Sequence, residues 1–318
     1  MRRVPRYTPP VLLDLVFDYD CNLACDYCTI TPAMRRRSLS AAALVRQMRA
    51  ARAEGFDRVS FTGGEPTVRP DLVPLVREAA RLGFEGIEVQ SNGLVYAQPA
   101  NVERLAAAGV TEWHVSIHTH REEAYERLVR RAGTFALMRA GLEHLVARGL
   151  APVADLIVMR STQAHLAGAV DWLADLGVRA GRLWLVSLTD GNAANVASLP
   201  PITELLPDVF AAFERAAARA FDLRSLHLPH CLLGPWADRA LDPAAGGVRV
   251  VTPDAVLDLR DAKLTPRRYV PACEGCPARG DCPGLRPDYL ARHGDGEIAR
   301  ARGQEPTREG RDRLPVLG

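Results

Sequence analysis

Three cysteines lie within eight residues of one another, at Cys21, Cys25 and Cys28 in the segment CNLACDYC. The spacing C-x3-C-x2-C brings three thiolates to one point on a short loop. Structural zinc sites are closed by four protein ligands, whereas catalytic metal sites keep a position open. Three thiolates on a four-iron, four-sulfur cluster leave one iron free for a further ligand, and a zinc site with a distant fourth ligand is the alternative.

The other four cysteines form a second group. Cys231 lies in PHCLLG, and Cys273, Cys276 and Cys282 follow the pattern C-x2-C-x5-C in CEGCPARGDC. Clustered cysteines in a chain without a secretion signal more often bind metal or react than form disulfides. Four thiolates suit a fully ligated metal site, which is either a second iron-sulfur cluster or zinc.

The elements that must position these cysteines alternate regularly. Six times in about the first 220 residues, an apolar run gives way to a segment with helical spacing, as in PVLLDLVF followed by a helix from an N-cap at Ser40 to a stop at Gly55. Short strands rich in Val, Ile and Leu suit a parallel sheet. We therefore predict an α/β fold, a partial (β/α)6 TIM-type barrel with a small C-terminal cysteine-rich extension. An open doubly wound sheet is the alternative, and in both the ligands lie at the carboxyl ends of the strands.

Two motifs sit at such strand ends. The first cysteine loop, with the aromatic Tyr27 before its third cysteine, follows the first predicted strand, and TGGEP at residues 62–66 follows the second. Together these motifs resemble the radical S-adenosylmethionine superfamily, and the resemblance covers roughly residues 11–282. It implies that the glycine carbonyls and the glutamate of the second motif bind the methionine amino group of S-adenosylmethionine. The residues concerned are Gly63, Gly64 and Glu65.

Further polar residues follow the later strands. The resemblance implies that Asn92 and Ser116 contact the ribose or the methionine carboxylate of the same ligand and that Arg160 can reach that carboxylate, with a strand-end turn or cap as the alternative for each. Other side chains in these loops are candidates for a substrate pocket, or else solvated or core residues. They are His118, His120, Trp184, Asp190 and Asn192.

The second cysteine group resembles the centre of the SPASM and twitch extensions, which carry auxiliary iron-sulfur clusters. Arg286 stands where the full SPASM pattern has another cysteine, which favours a twitch-like extension with one cluster. We expect two 4Fe-4S clusters and S-adenosylmethionine as cofactors, with structural zinc as the alternative in the extension. The predicted domains are a barrel at residues 1–222, an auxiliary cluster region at 223–290 and a C-terminal tail at 291–318, solvated or partly disordered.

The resemblance implies a reaction class. An electron from reduced flavodoxin or ferredoxin cleaves S-adenosylmethionine to a 5'-deoxyadenosyl radical, which abstracts hydrogen from an unactivated carbon. A fully ligated auxiliary cluster favours net oxidation, such as crosslinking or dehydrogenation of a peptide or natural product. The alternatives are rearrangement or epimerisation of a small metabolite, a glycyl-radical activase, and a zinc-stabilised binding module. We identify no catalytic side chain, and we expect no peptide-recognition domain before the barrel.

The composition bears on which classes of partner the protein is expected to bind. The 318 residues are 47% hydrophobic and 25% charged, and 40 basic against 38 acidic residues give a net charge of +2. This balance gives no electrostatic reason to expect nucleic acid as a partner. No signal-peptide core or membrane-spanning apolar run is present in the sequence. We therefore expect a cytoplasmic protein without a membrane partner.

Overall fold

The computed structural model describes residues 11–243, 246–262 and 268–303. Within these residues a single sheet runs in the order β10-β9-β1-β2-β3-β4-β5-β6-β7-β8. The strands are β1 (Leu12–Val16), β2 (Arg58–Thr62), β3 (Gly86–Ser91), β4 (Glu112–Ser116), β5 (Pro152–Val158), β6 (Ala180–Leu185), β7 (Asp222–Leu226), β8 (Ala240–Leu241), β9 (Val248–Val251) and β10 (Val256–Asp258). Over the same ranges, no helix is long and apolar enough to cross a membrane.

Helices connect the successive strands. They are α1 (Ala41–Ala53), α2 (Leu72–Arg81), α3 (Pro99–Ala108), α4 (Glu122–Val129), α5 (Thr134–Ala147), α6 (Leu166–Asp175), α7 (Ile202–Ala218), α8 (His230–Leu233), α9 (Pro287–His293) and α10 (Gly296–Ala301). Strands β1 to β8 pair in parallel, as crossover helices require. The predicted α/β fold of a partial TIM-type barrel is confirmed, and its sheet is not closed.

Alternation along the strands separates two faces of the sheet. Leu13 and Leu15 of β1, and Val59 and Phe61 of β2, are fully buried in the apolar core that includes the helices. The residues between them are polar or partly exposed, as on Asp14 of β1. The sheet therefore has an apolar face toward the helices and a polar face, which we call the inner face.

The predicted first helix has the expected caps. The Ser40 hydroxyl accepts a hydrogen bond from the backbone N–H of Ala43 at 3.3 Å, so Ser40 is the N-cap of α1. The chain leaves the helix through Gly55, whose φ of 93° suits glycine. The side-chain cap and the glycine stop fix the length of α1 locally, which is why the sequence pattern located it.

Residues beyond 222 extend both edges of the sheet. On one edge β7 pairs with β6 and β8 pairs with β7, while on the other β9 pairs in parallel with β1, and Leu12 lies opposite Val248. Strand β10 completes that edge in antiparallel orientation. The division into a barrel and an extension at residue 222 stays a prediction.

The prediction of a solvated or disordered tail is wrong for α10. Ile298 and Ala299 are buried in the core, and the buried Glu297 carboxylate accepts hydrogen bonds from the backbone N–H groups of Ile202 and Thr203. Those N–H groups begin α7, so Glu297 acts as its cap from another part of the chain. The rest of the predicted tail, residues 304–318, lies outside the described residues.

Candidate functional site

The first cysteine loop follows β1 and brings three thiols together. Burial raises the pKa of the Cys21 thiol to about 11 and that of Cys25 to about 12, and the Cys28 thiol adds Coulomb repulsion to both. A bound metal reverses this effect because its positive charge stabilises thiolates. The backbone N–H of Leu23 already points at Cys21 Sγ, at 3.4 Å. This donor set fits an iron-sulfur cluster held by three cysteines.

Two arginines hold the backbone of this loop. Arg35 donates from Nη1 to the carbonyl of Cys21 at 3.0 Å and from Nη2 to that of Leu23 at 2.8 Å. Arg131 donates to the carbonyl of Asn22 at 2.8 Å. The two guanidinium groups fix the loop conformation and place positive charge beside a site that is negative when its thiols ionise.

The glycines of TGGEP pack against the segment that leads into the cysteine loop. The N–H of Gly64 donates to the carbonyl of Asp18 at 2.9 Å. A Cβ on Gly63 would lie 2.3 Å from that carbonyl oxygen, and one on Gly64 would lie 1.8 Å from the carbonyl oxygen of Asp20. The sequence predicted close approach of these glycines to a ligand. The structure gives them close approach to the protein backbone, and their contact with a ligand stays a prediction.

Glu65 joins three parts of the site. Its carboxylate, 1% exposed, accepts hydrogen bonds from the Thr67 N–H at 3.0 Å, the Ser91 hydroxyl at 2.8 Å and the Asn92 N–H at 2.7 Å. Burial raises the pKa of Glu65. The Asn92 side chain in turn donates to Asn22 Oδ1 in the cysteine loop at 2.7 Å. The structure therefore brings Glu65 and Asn92 to the first cysteine loop, as predicted from the motif order.

Tyr27 is fixed by residues beyond the end of β4. Its hydroxyl oxygen lies 2.5 Å from His118 Nε2, and the two rings meet edge to face with centroids 4.7 Å apart. His118 also stacks on Tyr125 at 6.2 Å. Burial lowers the pKa of His118 to about 3, so its imidazole is neutral. His118, predicted as a pocket residue, thus supports the aromatic side chain beside Cys28.

Arg160 and His120 have partners in other parts of the chain, and the ligand contact predicted for Ser116 stays a prediction. Arg160 donates to the carbonyl of Ala197 at 3.2 Å and forms an ion pair with Glu204, so it does not join the residues around the first cysteine loop. His120 packs edge to face against His165, with centroids 6.1 Å apart. Ser116 is the half-buried last residue of β4.

The remaining candidates belong to β6 and the loop after it. The Trp184 indole donates from Nε1 to Asp155 Oδ1 at 3.0 Å on the inner face. Asn192 is buried and donates from Nδ2 to the carbonyl of Ser187 at 2.7 Å. Asp190 has a φ of 46° in the same loop. This loop, residues 186–201 between β6 and α7, is called the bridge loop below.

Sequence reasoning missed a polar network on the inner face. Asp155 accepts hydrogen bonds from Gln90 Nε2 at 3.2 Å and Trp184 Nε1 at 3.0 Å, and it lies 3.0 Å from His114 Nδ1. Neighbouring strands add the pairs Ser60 with Glu88 at 3.0 Å and Thr62 with Asp14 at 3.1 Å. The sequence does contain a signal for this network, because strands such as GIEVQS and EWHVS have a polar residue at every second position, which indicates a polar face of the sheet.

The four remaining cysteines line one cavity. Cys231, distant in sequence, meets Cys273, Cys276 and Cys282 there. Burial raises the pKa of the Cys231 thiol to about 11, and the other three thiols add to the effect. The backbone N–H of Gly284 points at Cys282 Sγ at 3.4 Å. The structure therefore assembles the predicted set of four sulfur donors.

Comparison with known proteins gives the same class of site. Residues 15–173 match the Radical SAM superfamily. The chain is 37% identical over 158 residues to a probable GTP 3',8-cyclase of Methanopyrus kandleri, a match that covers 49% of this chain and 50% of the relative. It is 26% identical over 257 residues to a PqqA peptide cyclase of Ruegeria pomeroyi, covering 76% and 68%. The chain spans about half the length of the first of these relatives.

Solved structures share the fold. The crystal structure of Streptococcus suis SuiB superposes with a TM-score of 0.62 at 16% identity, covering 85% of this chain and 62% of that one. The superfamily match covers half of the chain and includes both the first cysteine loop and TGGEP. This chain therefore belongs to the Radical SAM superfamily, whose members use a 4Fe-4S cluster and S-adenosylmethionine.

Proposed function

We propose that this enzyme carries out a net oxidation, such as crosslinking or dehydrogenation, of a peptide or natural product. The first cluster is held by Cys21, Cys25 and Cys28, and a second by the cavity of four cysteines. When bound, these groups and S-adenosylmethionine supply a 5'-deoxyadenosyl radical that removes hydrogen and an acceptor for the remaining electron. The electron that starts the reaction comes from reduced flavodoxin or ferredoxin.

The cavity of four cysteines is the observation that carries this proposal. Cys231, Cys273, Cys276 and Cys282 come together there from two parts of the chain and offer four sulfur ligands. We assign an iron-sulfur cluster rather than zinc to this cavity because the same chain already carries the three cysteines of a first cluster, and a fully ligated cluster has no vacancy for substrate. Its use is therefore electron transfer, which a net oxidation requires.

The chain's own residues supply binding and positioning. Glu65 complements the ammonium group of S-adenosylmethionine, and Asn92 and Tyr27 border the same ligand. The inner face, with its Asp155 network, orients the substrate at the carboxyl ends of the strands. Trp184 gives that face an aromatic surface for an apolar part of the substrate.

A redox-neutral cyclisation of GTP is the second candidate, because the cyclase of Methanopyrus kandleri is 37% identical over its matched region. The inner face argues against a triphosphate. It carries the carboxyl groups of Glu88 and Asp155, Arg182 interacts electrostatically with Asp155, and its Arg58 is paired with Glu112. Carboxylates repel a polyanion in a partly buried site, where charges are poorly screened.

Iron and sulfide counts test the two-cluster proposal. Anaerobically reconstituted protein should hold about eight irons, four per cluster. The Cys273→Ser/Cys276→Ser variant should lose about half of them and still form 5'-deoxyadenosine with dithionite. The matched Cys21→Ser/Cys25→Ser variant should lose the other half and form none. About four irons with one zinc in the unmutated protein would contradict the second cluster.

Substrate class is tested with a peptide library and with GTP as probes. Anaerobic turnover with each, followed by mass spectrometry, should reveal a peptide that loses two hydrogen atoms, and GTP should be unchanged. The Cys273→Ser/Cys276→Ser variant should consume S-adenosylmethionine without forming that product. Conversion of GTP to an isomer of equal mass would contradict net oxidation and support the second candidate.

A further inference from the structure

Arg286 is buried and anchors the C-terminal segment to β6. Its guanidinium donates to the carbonyl of Leu185 at 2.6 Å and to that of Val186 at 2.6 Å. The guanidinium also donates two hydrogen bonds to the Asp288 carboxylate, from Nε to Oδ1 at 3.0 Å and from Nη2 to Oδ2 at 2.8 Å. Arg286 is 4% exposed, so these bonds replace water almost completely. Because the guanidinium is planar and its donors have fixed directions, these contacts together fix the C-terminal segment relative to the end of β6.

The same pair also holds the start of the bridge loop. Asp288 Oδ2 accepts a hydrogen bond from the backbone N–H of Leu188 at 2.9 Å. Arg286 directly follows Gly284 and Leu285, which line the cavity of four cysteines. The Leu285 backbone is itself paired with Arg268 in an isolated β-bridge. The anchor therefore lies at the point where the wall of the cavity meets the barrel.

The middle of the bridge loop contacts the first cysteine loop. The N–H of Gly191 donates to the carbonyl of Thr29 at 2.8 Å, and Asn195 Nδ2 donates to the carbonyl of Asp26 at 3.3 Å. A Cβ on Gly191 would lie 2.8 Å from the carbonyl oxygen of Cys28. A continuous set of contacts thus runs from Cys28 through the bridge loop to Arg286 and the second cysteine site.

We propose that Arg286 and Asp288 are a positioning pair that fixes the four-cysteine cavity relative to the first cysteine loop through the bridge loop. The proposal rests on the proposed function, since the distance between two clusters matters only when electrons pass between the site of hydrogen removal and the cavity. A buried ion pair is a poor source of stability compared with apolar side chains of similar size. Its directional hydrogen bonds, however, specify one geometry, which is the use we assign to it.

Hydrogen exchange and electron paramagnetic resonance test this on the reconstituted full-length enzyme. In the Arg286→Lys variant, the single ammonium group cannot form all the hydrogen bonds of the guanidinium. Amide exchange should therefore rise about tenfold both in residues 186–195 and in residues 26–30. In the dithionite-reduced enzyme, the magnetic interaction between the two clusters, measured by microwave power saturation, should weaken. The control is Arg260→Lys, because Arg260 makes the same bidentate contact with Asp258 on the exposed surface. That variant should match the unmutated enzyme.

A second variant keeps the test decisive if Arg286→Lys fails to fold. Gly191→Ala should push the bridge loop away from Cys28 and weaken the same magnetic interaction, with exchange unchanged in residues 268–285. Faster exchange confined to residues 286–303, or an unchanged magnetic interaction in both variants, would overturn the proposal. If zinc occupies the second site, the proposed function fails, and the exchange of residues 26–30 alone then decides the positioning role.

Discussion

Replacing Gly63 by alanine tests whether the TGGEP turn must contact the backbone before the cysteine loop. Gly63 has a φ of 135°, and a Cβ there would lie 2.3 Å from the carbonyl oxygen of Asp18. Gly55 is a matched control, because its φ is 93° and a Cβ there would meet nothing within 4 Å. Both substitutions therefore impose an unfavourable backbone conformation, and only Gly63→Ala adds a steric clash.

The expected cost follows from these two contributions. Alanine with positive φ costs about 1–2 kcal/mol, which is the whole effect expected for Gly55→Ala. Forcing an extra methyl group into a packed site costs a further ~1–3 kcal/mol. We therefore expect Gly63→Ala to lower the free energy of unfolding by about 2–5 kcal/mol, and by more than the control. The clash is with backbone, so a change of side-chain rotamer cannot relieve it.

Urea unfolding of the anaerobic holoenzyme, followed by circular dichroism, measures both variants. Because Asp18 lies three residues before Cys21, Gly63→Ala should also reduce the iron retained by the first cluster, whereas Gly55→Ala should not. Equal unfolding free energies for the two variants would refute the steric reasoning. Full iron retention in Gly63→Ala would show that the turn does not position the cysteine loop.

Two further predictions concern ionisation and hydrogen bonding. Burial and the neighbouring Glu88 raise the pKa of Asp14 to about 7, so the native protein binds this proton more tightly than the unfolded chain. The wild type should therefore lose stability relative to Asp14→Asn as pH rises from about 4 to 7, with no further change above, and parallel urea-unfolding curves across this range would contradict it. Tyr27→Phe leaves the buried His118 Nε2 without its partner and should cost about 1–3 kcal/mol. It should also weaken S-adenosylmethionine binding, measured by calorimetry, and unchanged binding would remove Tyr27 from the site.

The barrel was predictable because its signals are local. Each β/α unit carries an apolar run followed by helical spacing, and the cap at Ser40 and the turn at Gly55 mark a helix within a few residues. Motif order then placed the cysteine loop and Glu65 at neighbouring strand ends. The contact from Asn92 to Asn22, which joins them, follows from that placement.

The edges of the sheet were not predictable in the same way. β9 pairs with β1 across more than 200 residues of sequence, and nothing in either strand specifies its partner. The inner-face network is also non-local, because Asp155 of β5 accepts hydrogen bonds from residues of β3 and β6 that are far from it in sequence. The residue types predict that this face is polar, but the hydrogen-bond partners on it depend on the three-dimensional packing of the strands.

Arg286 has a role in the structure that its sequence motif did not indicate. The sequence indicates that a cysteine of the SPASM pattern is missing there, which is a statement about metal ligands. The structure shows that the same side chain binds the carbonyl groups of Leu185 and Val186, about 100 residues away. Burying an arginine is costly unless its donors are all used. Here they are used to dock the segment on the barrel, and the comparison of this position with the SPASM pattern stays a prediction.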